Sequence, residues 1–243
     1  MAEKQFKPAL IVVDFQEDFC PPVRPPRPRP RTSPPSDRSQ NGALAVPAGR
    51  TIAHAVNTLL ALPFPLKIAT RDWHPRTHVS FASNHPSSEP FTSRATIRHP
   101  SDPSRSYTTT LWPVHCVQNT PGAQLVPELD LSQVHQVVDK GQDDRVEMYS
   151  AFHDPFHVSD SGLAKRLKEE HVTHVYVVGL AADFCVKATA EDAVAEGYET
   201  YIVQEATKPV VPDVWETCRQ GILAKGVKMI SIHGDDVARV KAL

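Results

Sequence analysis

Residues 173–197 read THVYVVGLAADFCVKATAEDAVAEG, and this stretch decides the fold. The run at 173–179 is almost continuously apolar, which is typical of a β-strand buried on both faces. A short turn follows, and apolar residues then recur at helical spacing, at Val186, Ala190, Ala193 and Val194. Gly197 predicts the end of this helix, which we place at 185–196. A buried strand that leads through a short turn into a helix is the repeating unit of a parallel α/β sheet.

The same pattern recurs on both sides of this unit. Further apolar runs are found at 9–13 (ALIVV), 66–70 (LKIAT), 135–139 (HQVVD), 199–203 (ETYIV) and, more weakly, 228–232 (KMISI). Two more helices are predicted, one beginning at Pro47 and the other spanning about Pro212 to Ala224. The alternation predicts an α/β fold, a single domain over 1–243 with helices on both faces of the sheet. Functional residues are then expected at the carboxyl ends of the strands.

Composition excludes several classes of protein. The chain has 243 residues, of which 40% are hydrophobic and 22% charged, and its net charge of −2 gives no reason to expect nucleic acid or an anionic membrane as the main partner. No apolar run reaches the ~18 residues of a membrane span, no secretory signal precedes the first strand, and the terminal KAL differs from the peroxisomal SKL address. We therefore expect an intracellular protein, cytoplasmic in the first place, with the nucleus and the peroxisome left open.

Two segments do not fit the alternation of strands and helices. Residues 21–40 hold eight prolines and five arginines, which predicts a solvated, disordered insertion. The PxxP spacings from Pro22 to Pro25 and from Pro25 to Pro28 would suit an SH3-like partner. Residues 75–114 are polar, rich in proline and serine, and aperiodic. A loop of that length inside a domain is usually either functional or disordered.

Cys185 is the first candidate for chemistry, because it follows the strand 173–179 and opens a helix. The four cysteines are widely spaced, so we interpret them as free thiols. A thiol at a helix N-terminus lies near the positive end of the helix dipole, which lowers its pKa, and the free N–H groups there could receive an oxyanion. The competing interpretation is a small buried core cysteine, which free cysteines commonly are.

Two further polar residues come at strand ends. Asp14 follows the strand 9–13, and Lys140 follows 135–139. Taken singly, the aspartate could cap a turn and the lysine could be an exposed strand end. Together with Cys185 they place a carboxylate, an ammonium and a thiol at one edge of a parallel sheet. A carboxylate beside a cysteine can act as its general base, and a lysine can stabilise the anionic forms.

The segment TRDWHP at 70–75 is a candidate metal site. Asp72 and His74 are two residues apart in an extended stretch, so their side chains project to the same side. A carboxylate with an imidazole suits zinc, iron or manganese. For the third ligand we favour His115, whose hydrophobic neighbours indicate burial, with Cys116 as a competitor. The histidines of the polar loop are expected to be solvated, at 78, 85 and 99.

Five segments together resemble the nicotinamidases, most of all those of fungi, in the isochorismatase-like superfamily of cysteine hydrolases. They are VVDFQEDFC, TRDWHP, LWPVHC, VDKG and GLAADFCV, in that order along the chain. The resemblance runs from Ala9 to about Ile232 and is interrupted by residues 21–40. It implies a six-stranded, mostly parallel sheet with helices on both faces.

The resemblance also implies roles for individual residues. Catalysis would fall to Asp14 as general base, Lys140 and the nucleophile Cys185. The oxyanion hole would be the backbone N–H groups of Ala181 and Cys185, with a cis peptide at Leu180–Ala181. The metal would be held by Asp72, His74 and His115. The pyridine ring would lie among aromatic residues at Phe19, Trp112, Tyr149 and Phe184.

The implied reaction is hydrolysis of nicotinamide to nicotinate and ammonia through a cysteine thioester, as in NAD salvage. One divalent metal ion, Zn²⁺ before iron or manganese, would anchor the ring nitrogen, and pyrazinamide would be a further substrate. One alternative is a related metal-independent carbamoyl or ureido amidohydrolase. A second is a catalytically silent protein that binds partners through its PxxP segment. The sequence leaves open whether the chain forms a homo-oligomer.

Overall fold

The structure is a computed structural model that describes residues 5–21 and 43–243. Apart from Pro21, the proline- and arginine-rich insertion predicted at 21–40, with its PxxP spacings, lies outside the described residues. Eight strands are formed in this part of the chain. They are β1 (Pro8–Val13), β2 (Leu66–Asp72), β3 (Arg94–His99), β4 (Asp102–Thr110), β5 (Gln136–Lys140), β6 (His174–Leu180), β7 (Glu199–Lys208) and β8 (Lys228–Ile230).

Six of these strands pair into one sheet, in the order β5-β2-β1-β6-β7-β8, and every pairing is parallel. β1 and β6, the central pair, are buried along their whole length. All six predicted strands are therefore confirmed. The order also places the carboxyl ends of β5, β2, β1 and β6 side by side at one edge.

Within the described ranges, five α-helices cover both faces of the sheet: α1 (Ala53–Leu60), α2 (Leu163–Glu169), α3 (Lys187–Ala195), α4 (Trp215–Ala224) and α5 (Asp235–Lys241). α1 and α5 pack into one hydrophobic core with Leu10 and Val12 of β1. α2, α3 and α4 pack into a second core with Ala9, Ile11 and Val13. Alternate residues of one strand thus enter opposite cores, as the period of two in a β-strand requires. No helix of residues 5–21 and 43–243 is long and apolar enough to cross a membrane.

The segment 75–114, predicted as an aperiodic loop, contains the antiparallel hairpin β3–β4. The prediction missed it because the strands are mostly exposed and rich in Thr, Ser and Arg, so hydrophobic residues do not alternate along them. Only Ile97 and Thr109 are buried in the hairpin. The helix predicted at 185–196 begins later, because one π-helical turn, Ala182–Val186, precedes α3.

A close approach between the two central strands requires a glycine. Gly179 pairs with Val13 in the β1–β6 register and has a φ of +110°. A Cβ at this position would overlap the carbonyl oxygen of Val13 and lie 2.6 Å from its backbone nitrogen. Both atoms belong to the backbone of β1, so a side chain could be accommodated only by moving that strand.

We therefore predict that Gly179→Ala destabilises the fold by about 3 kcal/mol or more, since overpacking adds to backbone strain. Gly197→Ala is the matched control, because Gly197 has a φ of +90° but nothing within 4 Å of its would-be Cβ. This control should cost only about 1 kcal/mol, the penalty of the left-handed conformation. Urea unfolding of both variants measures the difference, and equal losses would contradict the clash.

Candidate active site

Four polar residues meet at the carboxyl edge of the sheet. Asp14 follows β1, Asp72 ends β2, and Lys140 ends β5. Cys185 lies in the π-helical turn after β6. All four are buried, with exposed fractions of 0%, 4%, 2% and 4%. The convergence follows from the strand order, because β5, β2, β1 and β6 are consecutive neighbours.

Lys140 connects the other three residues. Its Nζ lies 2.5 Å from Oδ1 of Asp72, 3.0 Å from Oδ2 of Asp14 and 3.7 Å from Sγ of Cys185. It also donates a hydrogen bond of 3.1 Å to the carbonyl of Met148. Burial by itself lowers the pKa of a lysine, but Asp14 and Asp72 outweigh burial and raise the pKa of Lys140 well above its usual value. Lys140 is therefore an ammonium ion.

Asp14 is positioned by Thr70 of β2. The Thr70 hydroxyl donates to Oδ1 of Asp14 at 2.6 Å, and the backbone N–H of Asp14 donates to the same hydroxyl oxygen at 3.2 Å. Burial raises the pKa of Asp14 to about 6, against the opposing effect of Lys140. A carboxylate with a pKa near 6 is ionised at neutral pH and is suited to accept and return a proton.

Cys185 carries a protonated thiol in this environment. Burial raises the pKa of Cys185 well above its usual value, and Lys140 opposes that shift only in part. The prediction that the helix N-terminus lowers this pKa is therefore wrong in its net direction, because desolvation of the thiolate exceeds the favourable electrostatics. Such a thiol needs a base to become nucleophilic. Asp14 can act as this base, because ligand atoms of Asp14, Asp72 and Cys185 lie within 4.8 Å of one another.

Asp72, His74 and His115 form a group of candidate metal ligands that contacts Lys140 through Asp72. Their ligand atoms lie within 4.8 Å of one another, and all three side chains are buried. Lys140 and His74 outweigh burial and hold the pKa of Asp72 well below its usual range. Burial and the neighbouring His74 lower the pKa of His115 to about 4. A carboxylate with a neutral imidazole is what a divalent cation requires of its ligands.

The two histidine rings are oriented by backbone carbonyls. Nδ1 of His74 donates to the carbonyl of Gly141, and Nδ1 of His115 donates to that of Pro113, both at 2.8 Å. Since a carbonyl only accepts, each Nδ1 carries the proton and each Nε2 is left as a ligand atom. Gly141 has a φ of +66°, and a Cβ there would lie 2.7 Å from Nδ1 of His74.

His78 was expected to be solvated, and that prediction is wrong. Its ring is fully buried and stacks on His74 at 4.0 Å between centroids. Its Nδ1 lies 2.8 Å from the Ser80 hydroxyl, and its Nε2 has no partner among the described residues. His74, His78 and Glu147 form a second group of ligand atoms within 4.8 Å of one another. Unlike Asp72 and His115, however, His78 does not line the pocket.

Several of these residues line a small pocket. Its lining includes the four aromatic residues implied by the resemblance and several of the polar groups: Phe19, Trp112, Tyr149, Phe184, Asp72, His115, Ala181 and Cys185. Three residues that were not predicted from the sequence complete the lining: Leu44, Glu147 and Val210. No periodicity or motif distinguished these three residues. The cis peptide expected at Leu180–Ala181 is confirmed, and Cys116 is absent from the metal-ligand groups found among the described residues.

Comparisons with known proteins show which family the chain belongs to. The isochorismatase domain family matches residues 8–232. The nicotinamidase of Acinetobacter baylyi is 38% identical over 92% of this chain and 92% of its own length. The yeast nicotinamidase bound to the inhibitor nicotinaldehyde superposes with a TM-score of 0.80 at 34% identity, covering 92% of this chain and 99% of that one. The pyrazinamidase of Pyrococcus horikoshii in complex with zinc has a TM-score of 0.64 at 33% identity, covering 93% and 99%. The chain therefore belongs to the isochorismatase family and, within it, groups with the nicotinamidases.

Proposed function

We propose that this protein hydrolyses nicotinamide to nicotinate and ammonia through a thioester on Cys185. The observation that carries the proposal is the cluster of Asp14, Lys140 and Cys185, whose cysteine lines an aromatic pocket together with Asp72 and His115. The nicotinamidase relatives support the choice of substrate. An ammonia-release assay on nicotinamide tests it directly, and no ammonia from metal-loaded protein would contradict it.

The pocket suits a flat heteroaromatic ring with one polar end. Trp112 and Phe184 meet edge to face at 4.9 Å between centroids, and Tyr149 lies 5.5 Å from Phe184. These rings offer apolar faces on which a pyridine can pack. Asp72, His74 and His115 would hold the metal. When bound, the metal would supply a Lewis acid that orients the ring nitrogen.

The first half-reaction is acyl transfer to the enzyme. Asp14 accepts the proton of the Cys185 thiol as Sγ forms a bond to the amide carbon. The backbone N–H groups of Ala181 and Cys185 are the donors for the oxyanion, and loss of one such donor typically raises the barrier by ~3 kcal/mol. When the C–N bond breaks, Asp14 gives its proton to the leaving nitrogen, and ammonia departs. The positive charge of Lys140 keeps Asp14 ionised until that proton arrives.

The second half-reaction returns the enzyme to its starting state. Water attacks the thioester carbon and gives a proton to Asp14, so one carboxylate acts as base in both steps. The C–S bond breaks, the thiolate of Cys185 takes the proton back from Asp14, and the released nicotinic acid loses its remaining proton to solvent to give nicotinate. The raised pKa of Cys185 favours this reprotonation.

We further propose Zn²⁺ as the metal, with iron or manganese as alternatives that the same ligands allow. Zinc in the pyrazinamidase of Pyrococcus horikoshii supports this choice. That relative also supports pyrazinamide as a second substrate, since a pyrazine ring has the flat shape of a pyridine and a nitrogen in the equivalent position.

We predict that Cys185→Ala lowers kcat to below about 1% of the wild-type value, while the protein stays folded and binds nicotinamide. The reason is that, among the described residues, Cys185 supplies the only thiol in the pocket lining. Cys218→Ala is the matched control, because Cys218 lies on α4, outside the pocket lining, and should leave kcat unchanged. Ammonia release and calorimetric titration measure the two properties. A Cys185→Ala protein that retains more than a few per cent of kcat would remove covalent catalysis.

Removal of the metal should weaken nicotinamide binding by about tenfold or more, and metal analysis should find about one ion per chain. Chelation, Asp72→Asn and His115→Ala should all have this effect. His115→Ala is informative because it leaves the ion pair between Lys140 and Asp72 intact. Asp139→Asn is the control, since Asp139 pairs with Arg71 away from the pocket. Metal retained in full by His115→Ala would reject this ligand set.

Benzamide should be a far poorer substrate than nicotinamide, by about a hundredfold in kcat/KM. It has the same size and the same carboxamide but lacks the ring nitrogen that the metal would orient. Pyrazinamide retains that nitrogen and should be hydrolysed. Initial rates of ammonia release give the three values of kcat/KM. Comparable rates for benzamide and nicotinamide would show that the metal does not orient the ring.

A further inference from the structure

The pocket wall that carries Glu147 and Tyr149 is not part of the sheet. Residues 147–149 form no backbone-to-backbone hydrogen bond with any residue in the described part of the chain. The N–H of Met148 is bound by the carboxylate of its neighbour Glu147 at 3.0 Å, and its carbonyl is bound by Lys140. Side chains, rather than a strand ladder, therefore determine where this wall lies.

The hairpin β3–β4 supplies two of those side chains. The Tyr107 hydroxyl accepts a hydrogen bond of 2.8 Å from the N–H of Glu147 and donates one of 3.3 Å to its carbonyl. The Thr109 hydroxyl lies 2.9 Å from the Tyr149 hydroxyl. Tyr107 and Thr109 are two residues apart, so they share the inward face of β4 and meet two wall residues with the same spacing.

The hydrogen bonds of the Tyr149 hydroxyl define the role of Thr109. The indole N–H of Trp112 donates to the Tyr149 oxygen at 2.9 Å. An indole N–H can only donate, so the proton of Tyr149 needs an acceptor of its own. Among the described residues, Oγ1 of Thr109 is the partner that remains. When both hydrogen bonds are made, the Tyr149 hydroxyl donates to Thr109 and accepts from the N–H of Trp112. The two aromatic rings then present their apolar faces to the substrate.

We propose that Thr109 is a positioning residue for substrate binding: its hydroxyl holds Tyr149, and with it one wall of the pocket, in place. The inference rests on the proposed function for the identity of the substrate. Without the Thr109 hydroxyl, the Tyr149 O–H has no acceptor in its present position, and burying it unpaired is unfavourable. The ring then turns to find another partner, and the wall moves with it. Wall contacts are made to the bound ring throughout the reaction, so their loss raises KM more than it lowers kcat.

Five variants test this inference. Thr109→Val keeps the shape and removes the hydroxyl, whereas Thr109→Ser keeps the hydroxyl. Thr108→Val is the matched control, because Thr108 is the exposed neighbour on the opposite face of β4. Tyr149→Phe, alone and combined with Thr109→Val, completes a double-mutant cycle.

Thr109→Val should raise the KM for nicotinamide about fivefold or more, with kcat within about twofold, because the variant leaves the Tyr149 hydroxyl without its acceptor. Thr109→Ser and Thr108→Val should leave both constants within about twofold. In the Tyr149→Phe background, Thr109→Val should have no further effect on KM. A merely structural role would instead reduce the folded fraction and the apparent kcat at constant KM. An unchanged KM in Thr109→Val, or an equal increase in the Tyr149→Phe background, would overturn the proposal.

Crystal structures of the wild-type protein and of Thr109→Val provide a readout that does not depend on activity. The Tyr149 ring should be displaced in the variant, and an undisplaced ring would overturn the proposal. If the wild type released no ammonia from nicotinamide, the proposed function would fail, yet the displacement of Tyr149 would still decide the role of Thr109. The two failures are therefore distinguishable.

Discussion

The site depends on one buried ammonium ion held between two carboxylates. Lys140 is withdrawn from water, and this is tolerable only because Asp14 and Asp72 lie within 3.0 Å of its nitrogen. Removing either partner would leave charge buried without compensation, which typically costs about 3–5 kcal/mol. The ends of β5, β2 and β1 must consequently meet in one register. Two carboxylates against one ammonium leave a surplus negative charge, which suits the cation that the neighbouring histidines would help to hold.

The same ion pairs give the two carboxylates different pKa values and therefore different roles. Asp72 lies at 2.5 Å from Lys140 and beside His74, and its pKa is held well below the usual range, so it remains an anion. Asp14 is farther from the ammonium and fully desolvated, and its pKa rises to about 6. One carboxylate is thus suited to bind a metal and the other to move protons. Two chemically identical groups acquire different functions from their surroundings alone.

Near these charged residues, the aromatic residues of the pocket present apolar faces, because their polar atoms bind each other or the hairpin. Trp112 donates to Tyr149, and Tyr149 meets Thr109. The hairpin thereby becomes part of the site although none of its residues lines the pocket. This contribution was not predictable, because β3 and β4 lack the apolar alternation that identifies strands. The burial of His78 escaped prediction for a related reason, since a histidine in a polar segment gives no sign that another ring will stack on it.

The sequence by itself determined the parallel α/β class, because buried strands such as 173–179 require continuous apolar runs and the helices between them require a period near 3.6. It also determined that a carboxylate, a lysine and a cysteine come at strand ends, where parallel sheets bring functional groups together. Only the tertiary structure decided the state of those groups. The pKa of Cys185 is raised because burial outweighs the opposing effect of Lys140, and burial is a property of the packed chain. Only folding likewise decided that the pocket lining includes Leu44, Glu147 and Val210. These residues belong to segments far apart in the sequence, and no local pattern predicts that the segments meet.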